Sequence, residues 1–198
     1  MMQSPRKFVA AFVVLGTVLI AGCGDSSSSK SKTPAGNAVD RAFVAQMVPH
    51  HKSAVAMAKI AKRRGSSAFV KQLADDIVRT QTVEISTMRS ADQRLQSASV
   101  ATGSLGVPDH MVGMDGDVAS LSTAMLFDAA FMRMMIHHHQ GAVTMAKAEL
   151  KRGKDLALTA LAKNIVAAQQ REIRQMREHL GSAASGSSMK MHGAGHSG

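Results

Sequence analysis

The sequence predicts an all-α fold: a four-helix bundle assembled from two copies of one helical hairpin. Three observations carry this. Residues 40–89 align with 128–177 at a constant offset of 88 and without a gap, pairing Asp40 with Asp128, Phe43 with Phe131, Met47 with Met135, His50-His51 with His138-His139, Met57 with Met145, and Met88 with Met176. Within each copy the apolar residues recur at steps of three and four, the period of one helix face. Each copy is split by a glycine that follows a cationic run, Lys62-Arg63-Arg64-Gly65 and Lys151-Arg152-Gly153. Glycine ends a helix readily, and cations favour the negative end of its dipole.

The elements follow in order. Arg6 and Lys7 precede an apolar run, Phe8 to Ile20, then Ala21, Gly22 and the only cysteine, Cys23. The run is shorter than the roughly 20 residues that a spanning helix needs, so residues 1–22 read as a secretory signal peptide. Leu19-Ile20-Ala21-Gly22-Cys23 also resembles a bacterial lipobox, in which the cysteine is lipidated and becomes the first mature residue. A lone cysteine at a cleavage point has no disulfide partner to explain it. The expected location is outside the cytoplasm, lipid-anchored in the bacterial envelope. Residues 23–37, rich in Ser, Lys and Gly, read as a disordered tether with nothing to bury.

The bundle is expected over 38–181. In each copy the first helix places Phe, Met, His and Ala on one face, and the second places Leu, Ile, Gln, Glu and Met on another. Asp40 and Asp128 stand where each first helix begins, as N-terminal caps or dipole partners. Neither hairpin can cover its apolar stripe alone, so the two should pack with pseudo-twofold symmetry. A long connection, 96–117, carries Gly103, Gly106, Pro108 and Gly113, together with His110, Met111 and Met114. Residues 182–198 form a flexible low-complexity tail with Met189, Met191, His192 and His196.

Composition narrows the function. The formal net charge is +10, but Lys and Arg are scattered along helices, and there is no Trp or Tyr and no nucleic-acid motif. Nucleic acid is therefore not the expected partner; an anionic envelope surface suits the charge better. Fifteen Met exceed ordinary usage, and two of them, Met1 and Met2, begin the chain. Methionine fills irregular core gaps, and its thioether is also a soft ligand that selects Cu(I).

The chemistry lies in the polar residues that interrupt the apolar faces. His50 and His138 fall in the core seam, and His51 and His139 fall about 100° round the helix, on its flank. Met47 and Met135 stand one turn earlier, within reach of either imidazole. On the second helices Gln81 and Glu84, with Glu172 as the copy of Glu84, also reach the seam. A buried His or Glu without a partner costs several kcal/mol, roughly speaking. Two copies of the same costly set imply a metal, each other, or both. The expected ligands are Met47, His50, His51, Met135, His138 and His139. Glu84 and Glu172 would orient the imidazoles, and Met57, Met88, Met145 and Met176 would supply outer thioethers or simply pack. A di-iron bundle would need Glu-x-x-His on two helices, and that motif is missing. The His/Met set favours copper, as Cu(I), with another transition metal left open.

The segments Phe43-x-x-x-Met47-x-x-His50-His51-x-x-Ala54-Val55-x-Met57-Ala58 and Phe131-x-x-x-Met135-Ile136-x-His138-His139-Gln140-Gly141-Ala142-Val143-x-Met145-Ala146 resemble the exported bacterial family catalogued as domain of unknown function 305 (DUF305). The resemblance covers roughly 38–180. It implies a ferritin-like bundle and, from members linked to copper binding and resistance, a copper role. The family's His-His-x-Gly-Ala form is intact in the second copy, whereas the first has Lys52-Ser53 in place of Gln140-Gly141.

The reading is thus an envelope lipoprotein that sequesters copper or passes it to a metal-exchange partner, a binding protein in preference to an enzyme. Two other classes stay open: a His/Glu metalloenzyme using Fe, Mn or Zn, and a metal-free structural or partner-binding bundle.

Overall fold

The computed structural model describes the backbone of residues 36–192 apart from 115 and 117, and side chains as far as residue 182. The signal peptide, Cys23, most of the tether and residues 193–198 lie outside the described residues. Five helices follow one another: α1 Ala38–Arg64, α2 Ala68–Ser97, α3 Val118–Leu121, α4 Phe127–Arg152 and α5 Leu156–His192. A 3-10 turn, Asp109–Met111, lies in the linker. Among the described residues there is no strand, and no helix is long and apolar enough to cross a membrane. The last helix runs on to His192, past residue 181 where the low-complexity tail was expected to begin. No proline interrupts that stretch, so nothing in the backbone forces it to stop.

The hairpins α1–α2 and α4–α5 pack mainly through α1 against α4. The duplicated sequence produces a duplicated core. One apolar cluster joins Phe43, Met47 and Met88 of the first hairpin to Met145, Leu158 and Ile165 of the second. The other joins Phe131, Met135 and Met176 to Met57, Val70 and Ile77, the same positions with the copies exchanged. The two clusters share no residue, and each takes one half of every long helix.

Asp40 and Asp128 do more than cap their own helices. The N-cap of α1 is Asn37, whose side chain accepts from the Val39 and Asp40 backbones. Asp40 completes that capping box and also reaches across to the other hairpin, accepting from the backbone N–H of Lys154 at 2.9 Å and of Asp155 at 3.0 Å. Asp128 does the same in the opposite sense, accepting from Ser66 and Ser67 N–H at 2.9 and 2.8 Å. Each first helix therefore pins the turn of the other hairpin, through charge-assisted bonds of roughly twice ordinary strength.

The cationic runs were expected to serve the helix dipoles. Two of their arginines hold the linker as well. Arg64 donates to the carbonyls of Leu121 and Ala124, and its copy Arg152 donates to the carbonyl of Leu105. Gly65 and Gly153 keep ordinary negative φ. Space is what requires glycine there: a Cβ on Gly153 would lie 2.1 Å from a Glu149 carboxyl oxygen.

The linker then crosses α4 so closely that a Cβ on Gly141 would stand 1.9 Å from the Val112 carbonyl oxygen. Gly113, beside it, takes φ +68°, the left-handed region. Gly141 lies inside a helix, where alanine is ordinarily better by about 1 kcal/mol. The clash outweighs that gain. Gly141→Ala is expected to lower stability by about 1–3 kcal/mol net, whereas Ser53→Ala, at the matching position of α1, leaves it unchanged or slightly higher. Thermal melts followed by far-ultraviolet circular dichroism separate the two.

Glu149 is fully buried beside Asp40. Burial, with the adjacent Asp40 carboxylate, pushes its carboxyl up from the ordinary 4.5 to about 9. At neutral pH it is held as a protonated acid beside Asp40. The folded chain holds this proton between pH 4.5 and 9 while the unfolded chain has lost it, so stability falls as pH rises across that window. Glu149→Gln, which keeps a donor and removes the titration, should flatten this slope. Its melting temperature should match the parent near pH 4.5 and exceed it at pH 9.

Candidate metal centre

The polar layer lies between the two apolar clusters. His50 of α1 and His138 of α4 meet there ring to ring, with centroids 3.7 Å apart and planes tilted by 34°. Each is followed in its helix by a second imidazole, His51 at 6.3 Å and His139 at 6.4 Å. His51 and His139, expected on the flank, are fully buried, because α2 and α5 close over them. All four rings are at most 3 % exposed.

The hydrogen bonds decide which nitrogen is left over. His51 Nε2 pairs with Glu84 Oε2 at 2.9 Å, and His139 Nε2 pairs with Glu172 Oε2 at 2.7 Å. His50 Nε2 meets the Val112 carbonyl oxygen at 2.9 Å. A carbonyl or carboxylate can only accept, so each of these nitrogens carries the proton. The Nδ1 atoms of His50, His51 and His139 are left over, each buried without a partner. His138 has no partner on either ring nitrogen. Burial pushes the His50 imidazole down to about 3, aided by the nearby His51, and pushes His138 down further still, aided by His50. Neither of these two rings competes for a proton near neutral pH.

Four buried Nδ1 atoms without partners are costly in a metal-free core. They are also the donor set that a soft or borderline metal takes from histidine, oriented by carboxyls on the far ring nitrogen in the manner of metal-binding imidazoles. Among the described residues no three His, Cys, Asp or Glu side chains are arranged to hold one ion. Zinc and di-iron centres draw on such larger sets. A soft ion that needs few ligands, completed by thioether, fits better.

The remaining residues of interest divide by half. Met47, Met88 and Met145 share one apolar cluster, and Met57, Met135 and Met176 share the other. One side of the imidazole layer thus carries three buried thioethers and the other, which also holds Met132, carries four. Gln81 and Gln169 are buried, with side-chain oxygens unpartnered. Glu84 and Glu172, expected in the seam, keep an edge to solvent, with 18 % and 14 % of their side chains exposed. His110 and Met111 lie in the exposed 3-10 turn.

Three participants escaped the sequence reading. Val112 acts through its backbone, which no side-chain pattern marks. Gly141 was noticed only as a difference between the copies. Met134, beside the layer, aligns with Gln46 and so dropped out of any search restricted to repeated residues.

Comparison with known proteins agrees with this architecture. The chain matches no curated protein. Among solved structures it is similar to CopM in its Cu(I)-bound form, at 31 % identity over 72 % of this chain and 96 % of that one, with a TM-score of 0.61. It is similar to a DUF305 fragment from Deinococcus radiodurans, at 34 % identity over 73 % and 96 % of the two chains, with a TM-score of 0.59. A DUF305 protein from Streptomyces coelicolor matches at 28 % identity over 73 % and 93 %, with a TM-score of 0.63. The family described as Domain of unknown function (DUF305) matches residues 25–92 and 40–180. The doubled Met-His-His hairpin, the all-helical bundle it builds and these matches together place the chain in the DUF305 family.

Proposed function

We propose that this chain is an exported, envelope-anchored protein that binds copper as Cu(I) within its helical bundle, for sequestration or transfer to a metal-exchange partner. The observation that carries the reading is the set of four buried imidazole Nδ1 atoms without partners, from His50, His51, His138 and His139. Burial holds His50 and His138 neutral, so their rings offer lone pairs, and buried thioethers lie to either side. Met47 and Met135, one turn before the imidazoles, are the nearest in sequence and would complete the ligand set. Glu84 and Glu172 hold His51 and His139 by Nε2, which leaves Nδ1 as the donor atom. Met57, Met88, Met145 and Met176 would serve as outer thioethers or as core.

Structures of CopM with Cu(I), Cu(II) and Ag bound, similar to this chain at 31–33 % identity, support the choice of metal. Export and anchoring are supported by the charged start, the apolar run 8–20 and the small residues before Cys23. In this reading residues 1–22 are removed, Cys23 carries the lipid, residues up to 37 are the tether, 38–181 are the working domain and 182–198 a Met/His tail.

Metal binding to the folded state alone stabilises it by about 2.7 kcal/mol at a free concentration a hundredfold above Kd. For a domain of this size that raises Tm by roughly 5–10 °C. Cu(I) or Ag(I) should produce such a rise by circular dichroism, and titration against a chromophoric Cu(I) chelator should show tight binding. The double variant His50→Leu/His138→Leu should lose both effects. Its apo form should be as stable as the parent or more so, because two buried polar groups leave together. Tight binding that survives this variant would move the site to the linker or tail. Retention of only Fe or Zn would favour a His/Glu metalloenzyme, and no tight binding of any metal would leave the imidazoles a structural network.

A further inference from the structure

The pseudo-twofold symmetry of the bundle is broken at the imidazole layer, and the break opens a path to it. On one side Gly141 lets the linker backbone lie against α4, and the Val112 carbonyl closes over His50. On the other side Ser53 stands where symmetry would place a second glycine. There no linker carbonyl reaches His138, whose ring nitrogens are both unpartnered. A solvent-open cavity of about 300 Å³ occupies the space, lined by Ser53, Met57, Arg133, Met134, Met114 and His138 among others.

The thioethers in this cavity are graded by depth. Met114 is 44 % exposed at the mouth, Met134 is half-buried, and Met57 is 1 % exposed at the floor beside His138. The exposed Arg133 also lines the cavity. Hard divalent ions want oxygen donors, whereas thioethers select Cu(I). A cation carried inward from sulfur to sulfur never crosses the apolar wall without a ligand, which removes the main desolvation cost of reaching a buried site.

Resting on the copper-binding reading above, we infer that this cavity is the loading port of the bundle. Met114 and Met134 take Cu(I) from a soft sulfur donor, a thiolate or thioether on the delivering molecule, and hand it to His138. Each step is a ligand substitution. One Cu–S bond forms as the donor's Cu–S bond breaks, and finally a Cu–N bond to the imidazole lone pair replaces a Cu–S bond. Copper stays Cu(I) throughout. The port is one-sided: the equivalent approach to His50 is filled by Val112.

The test uses the full chain purified in mild detergent and follows transfer of Cu(I) from a coloured Cu(I)–chelator complex by stopped flow. Leucine keeps the volume of methionine, so Met114→Leu/Met134→Leu should fold normally. Its transfer rate should fall roughly tenfold while the affinity and stoichiometry at equilibrium stay within about twofold, an effect on rate rather than on Kd. Met111→Leu, a linker methionine outside the cavity, should load at the parental rate. An unchanged rate in the double variant would overturn the port. So would a loss of affinity as large as the loss of rate, since the two methionines would then be ligands of the resident site. If the parent takes up no Cu(I) at all, the copper reading itself fails and the port goes with it.

Discussion

Two imidazoles stacked at 3.7 Å in the middle of an otherwise apolar bundle set the terms for everything around them. Side by side and out of water, His50 and His138 cannot both be charged. Desolvation strips the proton from each, aided by His51 at His50 and by His50 at His138. What is left is a polar layer rich in lone pairs and poor in donors. It divides the core into two halves that share no residue. The surrounding residues relieve part of the cost: Glu84 and Glu172 each hold an outer imidazole, and one linker carbonyl accepts from His50. None of them reaches Nδ1. The layer is costly in a metal-free protein and well arranged for a soft cation, and that imbalance is the strongest physical reason to read it as a binding site.

Holding such a layer together requires the two hairpins to be locked in register, and the chain does this at the bundle ends. Asp40 and Asp128 each bind backbone N–H groups in the turn of the opposite hairpin. Arg64 and Arg152 each grip the linker that joins the copies. These pairs are equivalent by duplication, so the locking is itself symmetric. Glu149 is the exception. Its copy in the first hairpin is Ala61, and it survives in the core only by keeping its proton.

Asymmetry enters through the linker, which occurs once and sets its Val112 carbonyl against His50. Gly141 admits it over the His50 side; Ser53 stands at the matching position of α1. One imidazole is thereby covered by backbone and the other faces a thioether-lined cavity. The same substitution that makes the two motifs look unequal as text makes the two faces of the layer unequal in access.

The sequence by itself determined the duplication, the four long helices, the seam they share and the identity of the polar residues that interrupt it. All of these are periodic, and periodicity survives in one dimension. His50, His138, Met47 and Met135 were legible because a costly residue repeated in register is hard to explain as accident. The flank position assigned to His51 and His139 failed because an angle on one helix does not say which neighbour will cover it, and α2 and α5 do. The roles of Asp40 and Asp128 were half visible: a capping position is local, whereas the turn of the other hairpin is more than sixty residues away in one case and more than a hundred in the other. Val112 and Gly141 act through backbone, which has no letter. The choice of Nδ1 as the free nitrogen, and of the His138 side as the open one, belongs to the tertiary structure alone. The first depends on which acceptors the packed helices and linker bring to Nε2, the second on where a non-repeating linker comes to rest, and only the packed chain decides either.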